Sequence, residues 1–167
     1  MAVTTRTQIM FLLLASSGLL LGALGFQYLG GLTPCPMCHV QRWTHIAVIV
    51  VAALALAAFP GRWHGPVLLL IAAALVIAVG VAAYHAGVEY RWWAAPGGCS
   101  SIGSIGTSRM SAAGLRDMID NAPTARCDAV PWSMLGVSMA GWNAILSGGL
   151  ALFALACGFR AFGSTDQ

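Results

Sequence analysis

Charged residues are scarce in this chain, and lysine is absent altogether. Of its 167 residues only 8% are charged and 59% are hydrophobic, and the mean hydropathy of +0.81 lies well above that of a globular protein. The net charge of +3 comes from dispersed arginines and acids, without the basic cluster that a nucleic-acid interface requires. The composition therefore excludes nucleic acid as a partner and indicates a chain that lies largely in lipid.

Four segments have few or no charged residues, at about 9–32, 43–59, 66–84 and 136–159. At 1.5 Å of rise per residue, each is long enough to cross a hydrocarbon core of about 30 Å. Backbone amides and carbonyls cannot stay unpaired in lipid, so segments of this kind must be helical. The sequence therefore predicts an all-α fold, an integral membrane four-helix bundle that forms one domain over residues 1–167.

The even number of predicted spans places both termini on one side of the bilayer and the loops at about 30–42 and 85–133 on the other. This parity gathers four cysteines on one face: Cys35, Cys38, Cys99 and Cys127. The distribution of arginine favours a cytoplasmic cysteine face. We nevertheless orient the chain by redox chemistry, because disulfides persist outside the cytosol. The long loop is also predicted to carry a short amphipathic helix at 111–119.

The sequence Cys35-Pro36-Met37-Cys38 stands where the second helix is about to begin. A Cys-x-x-Cys pair can close a readily exchanged disulfide, and a helix start with a nearby cation favours the thiolate. Arg42 follows Cys38 by four residues and therefore lies on the same helix face. The pattern favours a redox-active pair at the membrane boundary, with Arg42 stabilising a Cys38 thiolate.

Other interpretations of the cysteines compete with redox exchange. The disulfides could be purely structural, in a membrane protein that is not an enzyme. The sequence Cys35-x-x-Cys38-His39 matches the attachment motif of c-type haem, although the surrounding loop is too short to enclose a macrocycle. Zinc is disfavoured because the spacing of the cysteines fits no finger or ribbon. Cys157, alone in the fourth segment, is interpreted as a small buried hydrophobic residue.

The chain contains an ordered set of short motifs. They are Phe26-Gln27, Pro34-Cys35-Pro36-Met37-Cys38 with Arg42, Tyr84-His85-Ala86-Gly87-Val88-Glu89, Cys99, Cys127-Asp128, Trp132, Leu135-Gly136-Val137-Ser138-Met139 and Trp142-Asn143. Over nearly the whole chain, this set resembles the DsbB family, the bacterial disulfide bond formation protein B. The different cysteine layout of the vitamin K epoxide reductase family argues against that alternative.

The resemblance implies a thiol:quinone oxidoreductase of the bacterial inner membrane, with cytoplasmic termini and periplasmic cysteine loops. A reduced thioredoxin-like oxidase of the DsbA type would attack the Cys99–Cys127 disulfide and form a mixed disulfide with Cys99. Cys127 would then attack Cys35, and Cys38 would pass the electrons to ubiquinone or menaquinone from the membrane quinone pool. The four cysteines would thus act in sequence between a soluble donor and a lipid-dissolved acceptor.

Three further residues are candidates for contact with the quinone. Arg42 would lie near the quinone, although it could simply be a charge that extends to the interface. His85 could face the quinone or assist proton transfer, or it could be an ordinary interfacial histidine. Gln27 could donate to a quinone carbonyl, although a lone polar residue in a span is more often part of a helix–helix hydrogen bond.

Overall fold

Four long helices and one short hairpin make up the described part of the chain. The computed structural model describes residues 4–96, 99, 111, 116 and 126–163. The helices are α1 (Thr5–Tyr28), α2 (Pro36–Ala58), α3 (His64–Glu89) and α4 (Met139–Gly163), with a 3-10 turn at Gly61–Trp63 before α3. All four are long and apolar enough to cross a membrane. The predicted all-α, four-helix membrane bundle is confirmed.

The helix ends differ from the predicted bounds at the cysteine side of the bundle. Helix α2 begins seven residues before the predicted position 43, α3 continues five residues beyond 84, and α4 begins three residues after 136. Helix α1 is also shifted, covering Thr5–Tyr28 and not 9–32. The sequence estimate followed the charge-free runs, whereas polar residues such as Gln41 and Glu89 are buried between the helices and prolong them.

The start of α2 is built from the cysteine pair itself. Cys35 is the N-cap, and its sulfur accepts a hydrogen bond from the Cys38 backbone N–H at 3.1 Å. Pro36 takes the first helical position, where its missing N–H removes no helical hydrogen bond. Cys38 and Arg42 are therefore helical residues and do not lie in the predicted loop at 30–42.

Helix α3 is the central element of the bundle. It packs most extensively on α4 and also on α2, while α1 packs mainly on α2. A Cβ at Gly158 of α4 would collide with Leu69 of α3, so glycine permits the close approach of these helices. Such close contact is what holds helices together in lipid, where the hydrophobic effect between them is lost. Fully buried side chains fill the interior: Ile9, Leu12, Val48, Leu68, Ile71 and Leu75.

A hairpin leads into α4 and is anchored to the end of α3. Its strands, β1 (Ser133–Met134) and β2 (Val137–Ser138), pair antiparallel across Leu135 and Gly136, both of which have positive φ, as a type I′ turn requires. The Tyr90 hydroxyl donates to the Gly136 carbonyl at 3.1 Å and accepts from the Ser138 N–H at 2.9 Å. The chain before α4 is thus held at the cysteine end of the bundle. The predicted helix at 111–119 lies outside the described residues, apart from Ser111 and Arg116.

Candidate functional site

The four cysteines predicted to share one face lie together at one end of the bundle. Cys99 and Cys127 form a disulfide, with their Cα atoms 5.4 Å apart. Cys35 and Cys38 are free thiols whose sulfurs lie 2.8 Å apart. The two pairs belong to one buried cluster, which is completed by Met37 and Val88. The prediction from span parity, that the four cysteines lie on one face, is confirmed.

Cys35 and Cys127 connect the two pairs. Their sulfurs and a ring nitrogen of His85 all lie within 4.8 Å of one another. Because the Cys127 sulfur is bonded to Cys99, these three groups are not a metal ligand set while that disulfide is closed. The approach of one sulfur to a disulfide is instead the arrangement that thiol–disulfide exchange requires.

The two sulfurs of the Cys-x-x-Cys pair have different surroundings. Both residues line a cavity, but Cys35 is buried, whereas Cys38 is only partly buried. The hydrogen bond between the two sulfurs, together with burial, raises the pKa of the Cys35 thiol. The two thiols are therefore inequivalent: a thiolate is disfavoured at Cys35, and Cys38 is the more exposed member of the pair beside the cavity.

Arg42 is held by α1 through two hydrogen bonds. One guanidinium nitrogen donates to the Gln27 side-chain oxygen, and the other donates to the Ala23 backbone carbonyl at 3.1 Å. The Gln27 oxygen is thus engaged within the protein. This contact is the helix–helix hydrogen bond that we considered as the alternative for Gln27.

A cavity of about 640 Å³ opens beside Cys38 and Arg42. Its lining comes from all four helices, the chain between α1 and α2, and the chain from Arg126 to the hairpin, and it is mainly apolar. Phe26 and Trp132 form part of this lining and contact each other, with ring centroids 4.9 Å apart. A flat apolar molecule with polar oxygens fits a space of this kind, because aromatic walls can contact its faces while a cation reaches its edge.

His85 lies in the last part of α3, and not in the predicted loop at 85–133. It is buried, with 3% of its surface exposed. Its Nε2 lies 3.5 Å from the Cys35 sulfur and 4.0 Å from a Glu89 carboxylate oxygen, and its Nδ1 lies 2.7 Å from the Gln41 amide nitrogen. These contacts do not support the interpretation of His85 as an ordinary interfacial histidine. The side chain lies between the cysteines and the interior of the bundle.

Sequence reasoning missed the polar residues behind His85. Gln41 bonds to Asn143 of α4, and Asn143 bonds in turn to His45 of α2 and Ser147 of α4. The signal that could have found them is their position, because polar side chains inside membrane spans are costly and usually face the bundle interior. Their mutual contacts could not be read from the sequence, since they depend on how α2, α3 and α4 are rotated.

Next to Cys127, an exposed ion pair joins Arg126 and Asp128. Two guanidinium nitrogens donate to the two carboxylate oxygens at 2.9 and 2.7 Å. This contact lowers the pKa of Asp128 and raises the pKa of Arg126. The charge beside Cys127 is therefore largely balanced within the segment itself.

The haem alternative is not supported by the geometry of Cys35, Cys38 and His39. His39 is exposed, whereas the Cys35 sulfur is buried against His85 and the second cysteine pair. Thioether bonds to a macrocycle would require both sulfurs to be accessible on the side of the histidine.

Comparisons with known proteins identify a family model and curated relatives that match most of the chain. A family model described as "Disulfide bond formation protein DsbB" matches residues 5–157. A disulfide bond formation protein B from Xanthomonas euvesicatoria is 34% identical over 166 residues, which cover 93% of this chain and 91% of the relative. Proteins of the same name from Methylococcus capsulatus and Verminephrobacter eiseniae are 32% and 35% identical, over 91% and 94% of this chain and 93% and 89% of the relatives. No solved structure matches the chain.

Proposed function

Because the chain belongs to the DsbB family of disulfide bond formation proteins, we propose that it is a thiol:quinone oxidoreductase. It would take two electrons from a reduced DsbA-type, thioredoxin-like oxidase and pass them through its two cysteine pairs to membrane quinone. The observation that carries this proposal is the position of the Cys35 sulfur, within 4.8 Å of the Cys127 sulfur and 2.8 Å from the Cys38 sulfur.

The first step is an attack by the partner's thiolate on Cys99. Cys127 is the member of that pair whose sulfur lies within 4.8 Å of the Cys35 sulfur, so it is the better placed of the two to be the leaving group. The partner's sulfur bonds to Cys99 as the Cys99–Cys127 bond breaks, and Cys127 leaves with the electron pair. This assignment sends the departing thiolate toward Cys35, which is the direction that the relay needs.

The second step transfers the electrons to the pair at the start of α2. The Cys127 thiolate attacks Cys35 in the oxidised Cys35–Cys38 pair, and Cys38 leaves as a thiolate. When the partner's second thiol releases Cys99, the Cys99 thiolate attacks Cys127 and the Cys35–Cys127 bond breaks. The products are a closed Cys99–Cys127 disulfide and a reduced Cys35–Cys38 pair, the same bonding state that the structure has.

Ubiquinone or menaquinone, when bound, would accept two electrons and two protons from the reduced pair. The residues beside the cavity fit such a group: Cys38 supplies the electron-donating sulfur, and Arg42 supplies a cation toward an oxygen. Gln27 positions Arg42 through its hydrogen bond and is not itself required as a ligand. His85 lines the same cavity and places a ring nitrogen 3.5 Å from the Cys35 sulfur, close enough for a hydrogen bond to it.

The relay also assigns the orientation of the chain. Disulfides persist outside the cytosol, so the cysteine end would face the periplasm and both termini would lie in the cytoplasm. The protein would then be a multi-pass component of the bacterial inner membrane, between a soluble periplasmic donor and a quinone dissolved in the bilayer.

The test follows the ultraviolet absorbance of ubiquinone while the purified protein, in detergent, is given a reduced DsbA-type donor. We expect quinone loss in proportion to the donor thiols that are oxidised, with menaquinone compared in parallel. Cys38→Ser should abolish quinone reduction yet still form a mixed disulfide with the donor. Cys99→Ser should abolish the exchange itself.

The matched control is Cys157→Ala, which removes a cysteine that lies in the apolar core, away from both pairs. It should retain exchange and quinone reduction. Oxidation of the donor at a normal rate by Cys99→Ser would contradict the relay. A donor that stays reduced with the unsubstituted protein would instead favour purely structural disulfides.

A further inference from the structure

A chain of hydrogen bonds runs from the cysteine pair into the bundle. His85 Nε2 lies 3.5 Å from the Cys35 sulfur, and His85 Nδ1 lies 2.7 Å from Gln41 Nε2. The Gln41 side-chain oxygen accepts from Asn143 Nδ2 at 2.7 Å, and Asn143 Oδ1 accepts from His45 Nε2 at 3.0 Å. We call these five residues the polar chain. It joins α2, α3 and α4.

The polar chain has a direction, because an amide nitrogen can only donate a hydrogen bond. Gln41 presents its nitrogen to His85, so His85 Nδ1 must be an acceptor without a proton. The neutral ring then carries its proton on Nε2, the nitrogen that faces Cys35.

The far end of the polar chain supports the same direction. Among the described residues, His45 Nδ1 has no hydrogen-bond partner. If every hydrogen bond were reversed, His45 would accept at Nε2 and carry its proton on this unpartnered nitrogen. Buried N–H groups without partners are rarer in proteins than acceptors with a spare lone pair. In the observed direction, His45 Nδ1 has only a lone pair without a partner, and not a buried N–H.

We propose that Gln41, oriented by Asn143, is a positioning residue that holds His85 in the Nε2–H tautomer and thereby aims a hydrogen-bond donor at the Cys35 sulfur. The inference rests on the proposed relay, in which Cys35 leaves Cys127 with the electron pair. A hydrogen bond to a departing thiolate is charge-assisted and stabilises it. The opposite tautomer would present a lone pair to the same sulfur and would oppose its departure.

The direct test reads the His85 tautomer by 15N NMR of the full-length protein in detergent, with His85→Gln used to assign the signals. We expect an unprotonated Nδ1 and a protonated Nε2. Asn143→Asp should reverse this without touching His85: a carboxylate only accepts, so Gln41 must turn its nitrogen to it and its oxygen to His85. The proton should then be on Nδ1.

Two further variants keep this test decisive. If Asn143→Asp fails to fold, Gln41→Glu provides the same test. It places an acceptor directly against His85 Nδ1, so the proton should again be on that nitrogen. Ser16→Ala is the matched control, because it removes a buried polar group of α1 that lies outside the polar chain, and the tautomer should not change. A protonated Nδ1 in the unsubstituted protein, or an unprotonated Nδ1 in Gln41→Glu, would overturn the proposal.

A second measurement tests whether the tautomer of His85 changes the thiolate fraction of Cys35. In a variant whose other four cysteines are replaced, the pH dependence of alkylation reports the thiolate fraction of Cys35. Gln41→Met, which has a similar shape but no N–H, should lower that fraction about tenfold at pH 7, the size expected for a charge-assisted hydrogen bond. Arg42 on α2, Glu89 on α3 and Arg126 before Cys127 also line this cavity, so the profiles are compared between variants in one background.

The outcomes separate this inference from the relay. An unchanged thiolate fraction in Gln41→Met would overturn the positioning role while quinone reduction by the unsubstituted protein stayed intact. Failure of that protein to reduce quinone would reject the relay whatever the tautomer of His85.

Discussion

Arg42 owes its position to Gln27, a single polar side chain on the neighbouring helix. The guanidinium donates to the Gln27 oxygen and to the Ala23 carbonyl, so two points on α1 fix its direction toward the cavity. A planar guanidinium uses such paired contacts better than an ammonium would. The sequence made both residues candidates for contact with the quinone, whereas in the structure Gln27 is a hydrogen-bond partner that supports Arg42.

Replacing Gln27 with leucine should therefore weaken quinone use without affecting the thiols. Loss of a hydrogen bond to a charged group is worth about 1.5 kcal/mol, so we expect Gln27→Leu to raise the KM for ubiquinone about tenfold. Formation of the mixed disulfide with the donor should be unchanged. Steady-state kinetics with varied quinone measure the first effect, and trapping of the mixed disulfide measures the second.

Gln27→Glu is the control for this prediction, because it keeps an acceptor for Arg42 at the same distance along the side chain. Its KM should stay within about threefold of the original value, a difference of less than about 1 kcal/mol. Equal KM values for Gln27→Leu and the unsubstituted protein would mean that Arg42 holds its place without Gln27.

The end of α3 depends on close contact between a glycine and an indole ring. Trp93 folds back over Gly87, donates from Nε1 to the Tyr84 carbonyl at 2.8 Å and stacks on the Tyr84 ring, with centroids 5.5 Å apart. A Cβ at Gly87 would overlap the Trp93 ring. Gly87 directly precedes Val88, a member of the cysteine cluster, so this contact of Trp93 supports the last turn of the helix on which the cluster packs.

Gly87→Ala should displace Trp93 and destabilise the protein. Overpacking of a tight contact costs about 1–3 kcal/mol, which we expect as a lower midpoint of unfolding in detergent together with altered tryptophan fluorescence. Gly80→Ala is the matched control in the same helix, because a Cβ there would meet no atom within 4 Å. Alanine favours helix over glycine, so this control should be neutral or slightly stabilising. Equal midpoints of unfolding for the two variants would contradict a stabilising contact between Trp93 and Gly87.

The sequence predicted the elements better than their ends. Charge-free runs identify all four helices, because the lipid requirement for paired backbone groups leaves no alternative. They misplace the cysteine ends, because the final turns contain polar residues such as Glu89 that are buried by neighbours and not by lipid. The hairpin at 133–138 was missed because strands of two residues are too short to show an alternating pattern.

The candidate site likewise has a part that the sequence predicts and a part that it does not. Span parity and the Cys-x-x-Cys motif are enough to bring the four cysteines and Arg42 together from the sequence alone. The contacts of Gln41 with His85 and Asn143 could not be predicted, because they depend on the rotation of three helices about their axes. The sequence of each helix shows which side chains are available for contact. Tertiary packing determines which of these side chains contact each other.

For the molecule as a whole, the number of spans determines which loops share a side. Four helices place the turn between α2 and α3 opposite the cysteine cluster, so Arg62 in that turn and Ser133 in the hairpin should lie on opposite sides of the bilayer. Both positions are exposed, and neither is part of the cysteine cluster. The relay requires the Ser133 side to be periplasmic, although the count of arginines favours the reverse.

Single thiols introduced by Arg62→Cys and Ser133→Cys, each combined with Cys157→Ala, test this orientation with a membrane-impermeant maleimide. In intact cells the reagent should label the Ser133→Cys protein, while the Arg62→Cys protein should react only after permeabilisation, because the bilayer excludes the charged reagent. The oxidised Cys157→Ala parent should stay unlabelled, since its remaining cysteines are paired in disulfides. The reverse pattern would place the cysteine pairs in the reducing cytosol, where a disulfide-generating relay has no oxidised product to sustain.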